Sequence, residues 1–392
     1  MRILRRIKSA VLSPNAPMFL YCLITALGVA APMAFLTTYV TKIGMNTSQL
    51  SYITAIRPIA MIAGQYIWGI VADRSKTINR VLALLMCGVV VSAGVYMAVQ
   101  TFWGVMIATI IYYFFYSAIY PLMDTISMNM VADGRIRSYG DIRVMTSLGY
   151  VISVWVSGIL SEINPIFIFI VMGVCTALAT VTMIWIPKTA GLRKKGEKFN
   201  SLKFFMNPLV LFPLLAYLIL QFVYASFDAV FPIYLSIDLG GGDSLYGLSM
   251  AIRVAGEFLV LPFLNKIQKI MPFKVACAVF FSLSVCRFII SAFTVNTVVL
   301  TVASLLSGIG NIGNFTWIIN YCGKLAPEKG KATVQSHMWM LYSVAQVFGS
   351  LSIRYFAPKA GSSVYFWACA ACMAFAAVMA LVSKIDKEAS RF

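Results

Sequence analysis

The sequence predicts an all-α membrane protein of twelve transmembrane helices, arranged as two pseudo-symmetric six-helix bundles. Three observations carry this. Of 392 residues, 60% are apolar and 11% charged, against roughly 45–50% and about 25% in a soluble domain. So few charges cannot cover a water-exposed surface, and a disordered chain needs the opposite balance. The apolar residues fall in twelve stretches of about 20 residues, the length that crosses hydrocarbon about 30 Å thick at a helical rise of about 1.5 Å. Finally, the chain resembles itself when displaced by half its length.

The stretches 17–40, 49–71, 78–98, 103–130, 138–160 and 165–187 form the first bundle. The second comprises 207–235, 245–265, 273–293, 297–323, 333–355 and 363–383. Many are bounded by Pro, Gly, Asn or Ser, which end helices, and Ser48 and Ser244 read as N-caps. The basic start (Arg2, Arg5, Arg6, Lys8) lacks a clear cleavage site before a long apolar run, so the first span is expected to be retained. The domains are thus 1–187, a cytoplasmic basic linker 188–206, and 207–392.

Displacement by half the length matches Pro17 with Pro213, Tyr21 with Tyr217, Phe35 with Phe231 and Ser48 with Ser244. Ala55-Ile56-Arg57 then matches Ala251-Ile252-Arg253. Such a duplication is a transporter arrangement, with the solute site near mid-membrane.

The net charge is +18, from 31 Lys and Arg against 13 Asp and Glu. Its distribution excludes nucleic acid as a partner: the cations sit in short clusters between apolar stretches, with no aromatic-interleaved basic face. Outside the spans nearly all lie on the side of the two termini, with Lys42 and Lys359 the exceptions. That bias places both termini in the cytoplasm, in a plasma membrane or bacterial inner membrane, with the cations as a rim on the bilayer.

Eight Cys lie in apolar stretches and read as small buried hydrophobes, including the Cys369–Cys372 pair. No metal or cofactor is expected. With no Walker A, H-E-x-x-H or G-x-S-x-G motif, the chain is read as neither an enzyme nor an ATP-driven pump. Gly308-x-Gly310-x-x-Gly313 satisfies a dinucleotide pattern but lies inside an apolar span, so it reads as close helix packing. Asn46-Thr47-Ser48 fits a glycosylation sequon in an outer loop.

Charges within spans cost at least ~2.5–3.5 kcal/mol each at the bilayer centre. Asp124, Asp141, Asp228, Glu257, Arg57, Arg143, Arg253 and Arg287 are therefore expected to line a wet cavity or to pair. Arg57 and Arg253, related by the repeat, form a natural clamp for an anion. The competing reading pairs Arg253 with Glu257, one turn away, and lets Arg57 snorkel outward.

The loop Gly69-Ile-Val-Ala-Asp73-Arg74-Ser-Lys76, followed by Arg80, resembles the cytoplasmic loop signature of the major facilitator superfamily. It reads as a gate: Gly69 permits close helix approach, and Asp73 and Arg74 offer charges to neighbouring elements. Tyr120-Pro121-Leu122-Met123-Asp124, Tyr139-Gly140-Asp141-Ile142-Arg143 and Tyr150 sharpen the likeness. They resemble the lactose permease type of proton symporter and the related phenylpropionate and nucleoside permease groups. The resemblance implies that Asp124 and Arg143 bind solute while Tyr150 stacks on a sugar ring. Chemically, the acid and guanidinium suit hydroxyls or a carboxylate, and the aromatic suits an apolar ring face; an Asp124–Arg143 bridge between spans is the structural alternative.

Glu257 and Arg287 fit the family's span-8 acid and span-9 arginine, which serve substrate binding and proton coupling. Span 10 departs, offering Ser307, Gly310, Asn311 and Asn314 where the lactose permeases carry His and Glu. The sole histidine, His337, is in span 11. Proton loading is therefore expected at Asp228 or Glu257, with His337 a further candidate. The resemblance implies a monomeric secondary transporter that couples protons to a small polar organic solute, sugar-like, by alternating access. The alternatives are an organic-anion (carboxylate) transporter using Arg57 and Arg253, and a multidrug efflux antiporter.

Overall fold

In hydrocarbon, apolar stretches this long satisfy their backbone polar groups only as helix or closed barrel, and a run of about 20 residues is long enough for helix. The computed structural model describes residues 16–136, 139–189, 204–325, 331–356 and 363–382. Every regular element among them is helical. The first half holds α1 (Ala16–Lys42), α2 (Thr47–Arg74), α3 (Ile78–Ala98), α4 (Phe102–Tyr116), α5 (Ile119–Ala132), α6 (Tyr139–Ile163) and α7 (Phe167–Thr182). A 3-10 turn, Met183–Trp185, ends α7. The second half holds α8 (Pro208–Ile233), α9 (Gly242–Ile270), α10 (Phe273–Phe293), α11 (Thr297–Leu325), α12 (Lys331–Phe356) and α13 (Ser363–Val382).

The fourth expected span is two helices. Pro121 has no N–H and its ring clashes with the carbonyl four residues back, at Ser117. Ser117 is where α4 ends. Pro232 acts similarly in α8, removing the donor for the Asp228 carbonyl, and a π turn at Tyr234–Asp238 follows. Ten of the described spans are long and apolar enough to cross a membrane, α4 and α5 counting together. The two long helices outside that set are α9, which carries Asp243, Arg253 and Glu257, and α12, whose apolar run is Met338–Ile353. The protein is an integral membrane protein.

The chain divides into two compact units, Met1–Lys195 and Gly196–Phe392. In the first, α1 packs on α6 and α7, α2 on α4, and α3 on α4 and α7. In the second, α8 packs on α12 and α13, α9 on α11, and α10 on α11 and α13. The two patterns are the same, helix for helix. Matching glycines serve matching seams: a Cβ at Gly149 of α6 would strike the Leu23 carbonyl of α1, and one at Gly349 of α12 the Phe222 carbonyl of α8.

Three sequence expectations need correction. Asn46, not Ser48, caps α2: its side chain accepts from the Gln49 N–H at 2.9 Å while the Gln49 side chain accepts from the Asn46 N–H at 3.0 Å. This reciprocal box satisfies two otherwise orphaned donors, which Ser48, already inside the first turn, cannot do. Ser244 likewise falls inside α9, capped by Gly241. Of the cysteines, Cys22, Cys277, Cys322 and Cys369 are buried, but Cys87, Cys286 and Cys372 are exposed on outer helix faces.

Candidate functional site

The second unit gathers its charges around α8. Gln221, Tyr224 and Asp228 recur at helical spacing and share one face. Asp228 Oδ1 accepts from Arg253 Nη1 of α9 at 2.6 Å. The Arg253 side chain is 12% exposed and that of Asp228 39%. The same guanidinium lies 5.3 Å from the centre of the Tyr224 ring. The Tyr224 hydroxyl sits 3.0 Å from Ser284 Oγ of α10 and donates to the Ser307 carbonyl of α11 at 3.3 Å. Four helices thus meet at one arginine, one carboxylate and one phenol.

Close approach of α11 to both α9 and α10 makes this possible. A Cβ at Gly308 would collide with the Arg253 carbonyl, one at Gly310 with Ser284 Oγ, and one at Gly313 with the Phe280 ring. The Gly308–Gly313 pattern therefore acts in helix packing. Nearby, Arg287 is 0% exposed, with its guanidinium 5.3 Å from the Phe227 ring centre and 4.6 Å from that of Phe231. Its Nη1 donates to Ser291 Oγ, and Nε and Nη2 have no hydrogen-bond partner among the described residues.

The expected Arg253–Glu257 pairing is replaced. Glu257, half-buried one turn along α9, still attracts Arg253 electrostatically, but the hydrogen-bonded pair is with Asp228. Helical spacing ranks only neighbours on the same helix; the α8 carboxylate is brought in by tertiary packing.

In the first unit, Arg57 does not snorkel away from the bundle. Its guanidinium lies 4.9 Å from the centre of the Tyr113 ring of α4, a cation–π contact. Tyr113 begins an aromatic ladder. Ring centres of Tyr113 and Tyr116 are 6.1 Å apart, those of Tyr112 and Tyr116 5.5 Å, and those of Tyr116 and Tyr120 5.9 Å. The ladder crosses the α4–α5 break and ends one turn before Asp124. Asp124 and Tyr150 are both half-buried, and Asp124 acts electrostatically on the buried Cys22 of α1. The ladder was visible in the sequence as Tyr112-Tyr113-Phe-Phe-Tyr116, a run whose phenols need polar partners in hydrocarbon.

The side chains of Arg143, Asp141, Asp73 and His337 lie outside the described residues. A Cβ at Gly69 would meet nothing within 4 Å among the described residues. Arg74 is exposed. On α11, Ser307 Oγ, Asn311 Oδ1 and both polar atoms of Asn314 have no hydrogen-bond partner among the described residues, and Asn314 is 0% exposed. They fall on one helix face.

The model of the MFS_1 like family matches residues 16–369. The uncharacterized transporter YwbF of Bacillus subtilis (strain 168) is 26% identical over 253 residues, 63% of this chain and 62% of that one. Maltose permease of Geobacillus stearothermophilus is 27% identical over 175 residues, 43% of each chain. The matched region thus spans less than two thirds of either relative. Among solved structures, a mutant of the nucleoside transporter NupG superposes with a TM-score of 0.85 at 12% identity, over 95% of this chain and 100% of that one. At such identity the likeness is one of fold.

Proposed function

The chain belongs to the MFS_1 like family of major facilitator transporters, and from that premise we propose that it is a proton-coupled symporter of a small, polar, sugar-like solute. It is a membrane transporter and not an enzyme. In this reading it works as a monomer by alternating access, in a bacterial inner membrane with both termini in the cytoplasm.

The observation that carries the reading is the Arg253–Asp228 pair. Separated charges at bilayer depth are costly, so the pair holds α8 to α9 while Asp228 is ionised. Protonating the carboxylate removes the attraction and frees the guanidinium. Asp228 retains enough exposure to exchange a proton with water, whereas Arg253 is nearly covered. Glu257 is positioned to take over the freed guanidinium. Proton occupancy and helix position are thus linked, and any solute that favours one arrangement must favour the matching protonation state equally.

On the solute side, Asp124 at the end of the tyrosine ladder supplies an acceptor for hydroxyls, and Tyr150 a ring face. Arg143, on the same helix as Tyr150, completes the set implied by the family likeness. The organic-anion reading needs Arg253 as a free clamp, and Asp228 already occupies it. The names of the maltose permease and nucleoside transporter relatives supply the probes.

The test uses proteoliposomes with labelled maltose and labelled uridine. The wild type accumulates one of them when an inward proton gradient is imposed. Asp228→Asn abolishes that accumulation but retains solute exchange. Undiminished pH-driven accumulation in both Asp228→Asn and Glu257→Gln rejects the coupling scheme.

A further inference from the structure

The first unit holds a basic feature that overlaps the loop signature at Lys76 and Arg80 but that the solute and proton sites do not use. Where α3 begins, beside the turn that ends α7, a cavity of about 390 Å³ is lined by Lys76, Thr77, Arg80 and Lys188, with no acid among its described lining residues. As sequence these cations belong to the topology-setting rim. The geometry adds a fixed scaffold. Asn79 donates to the Pro187 carbonyl at 3.1 Å and accepts from the Thr189 N–H at 2.9 Å, while the Ile78 N–H donates to the Thr189 carbonyl at 2.8 Å.

These three bonds pin residues 187–189 across the amino end of α3, so that Lys188 borders the same cavity as Lys76 and Arg80. Thr77, at the N-cap, makes no side-chain capping bond. Its hydroxyl and the positive end of the α3 dipole join the three side-chain cations.

The flank of the cavity is apolar. Met183 and Ile184 line it, and the surface continues over Ile184 and Trp185, 78% and 62% exposed. In an integral membrane protein such residues face acyl chains, and Trp favours the interface. A cationic cradle joined to an acyl-facing apolar wall has the polarity of one molecule of phospholipid. We propose that this cavity binds the phosphate headgroup of an anionic glycerophospholipid, with Arg80, Lys76 and Lys188 on the phosphate and an acyl chain along Ile184 and Trp185. The Arg80 fork suits two phosphate oxygens and the lysines add point charge. Free inorganic phosphate would use the cradle and leave the wall idle, so the wall favours the lipid.

The full-length protein is reconstituted in phosphatidylcholine nanodiscs with or without phosphatidylglycerol, and retained lipid is counted by native mass spectrometry. The wild type retains phosphatidylglycerol preferentially and melts at a higher temperature in its presence. The triple variant Lys76→Gln, Arg80→Gln, Lys188→Gln loses roughly a hundredfold in affinity, at about 1 kcal/mol for each cation removed. A charge-matched control, Lys42→Gln, Arg135→Gln, Lys274→Gln, keeps it. Equal retention by the two triple variants, or no preference for phosphatidylglycerol in the wild type, overturns the proposal. So does a melting rise from inorganic phosphate alone that matches the lipid's, which reassigns the cradle to free phosphate. If the triple variant melts low in phosphatidylcholine alone, the three single variants are read instead. Each is expected to lose severalfold, and no loss in any of them overturns the site.

Discussion

Arg57 and Arg253 sit at matching places in two units that share one pattern of helix contacts, yet their surroundings differ in kind. Arg253 meets a carboxylate of α8 at 2.6 Å. The residue of α1 that matches Asp228 is Pro32, which offers no charge. Arg57 instead rests on the ring face of Tyr113, from α4. A carboxylate can be discharged by a proton, whereas a ring face cannot. The same backbone thus supports an ion pair in one copy and a cation–π contact in the other. Duplication fixed the scaffold, and single substitutions divided the chemistry.

The largest test of this contrast is Arg253→Met. Removing one partner of a fully buried pair costs roughly 3–5 kcal/mol. Because Asp228 keeps contact with solvent, about 2 kcal/mol is expected here, read as a lower melting temperature in detergent. Adding Asp228→Asn should restore part of it, and a purely additive double variant would show that the pair is not coupled. Gly308→Val comes next, at about 2 kcal/mol, because its side chain must displace the Arg253 backbone; it should also lower pH-driven uptake. Arg57→Met should cost about 0.5–1 kcal/mol through its lost cation–π contact and leave the pH dependence of transport intact. Loss of pH-driven accumulation in Arg57→Met would break the comparison. The smallest effect belongs to Gly69→Ala, where open space and helix propensity predict a gain of about 0.5 kcal/mol in stability.

The spans were legible because run length against bilayer thickness is a strong constraint, and their limits lie within a few residues of the helices observed. The split of span 4 was present in the sequence as Pro121 but is hidden by a count of apolar residues. The cap of α2 is less legible, because Asn46 also fits a glycosylation sequon and its box depends on Gln49 three residues on. Among the charges, those needing partners were identifiable from cost alone. Which partner each found was not, since spacing along one helix carries no information about a carboxylate on the next. The closeness of α11 to its neighbours was written in its glycines, Gly308 toward α9 and Gly310 and Gly313 toward α10. That of α2 to α4 rests on Gly64, where a Cβ would strike the Phe114 carbonyl.

Gly308 carries one more consequence. With no side chain interposed, α11 bears on the very peptide unit from which the Arg253 side chain springs. A hydrogen bond of 2.6 Å is lost when stretched by about 1 Å. Sliding α11 by less than the width of an atom therefore registers at the carboxylate, as load on a beam registers at a strain gauge glued to it. A molecule wedged against α11 would be felt at the Arg253–Asp228 pair without touching it.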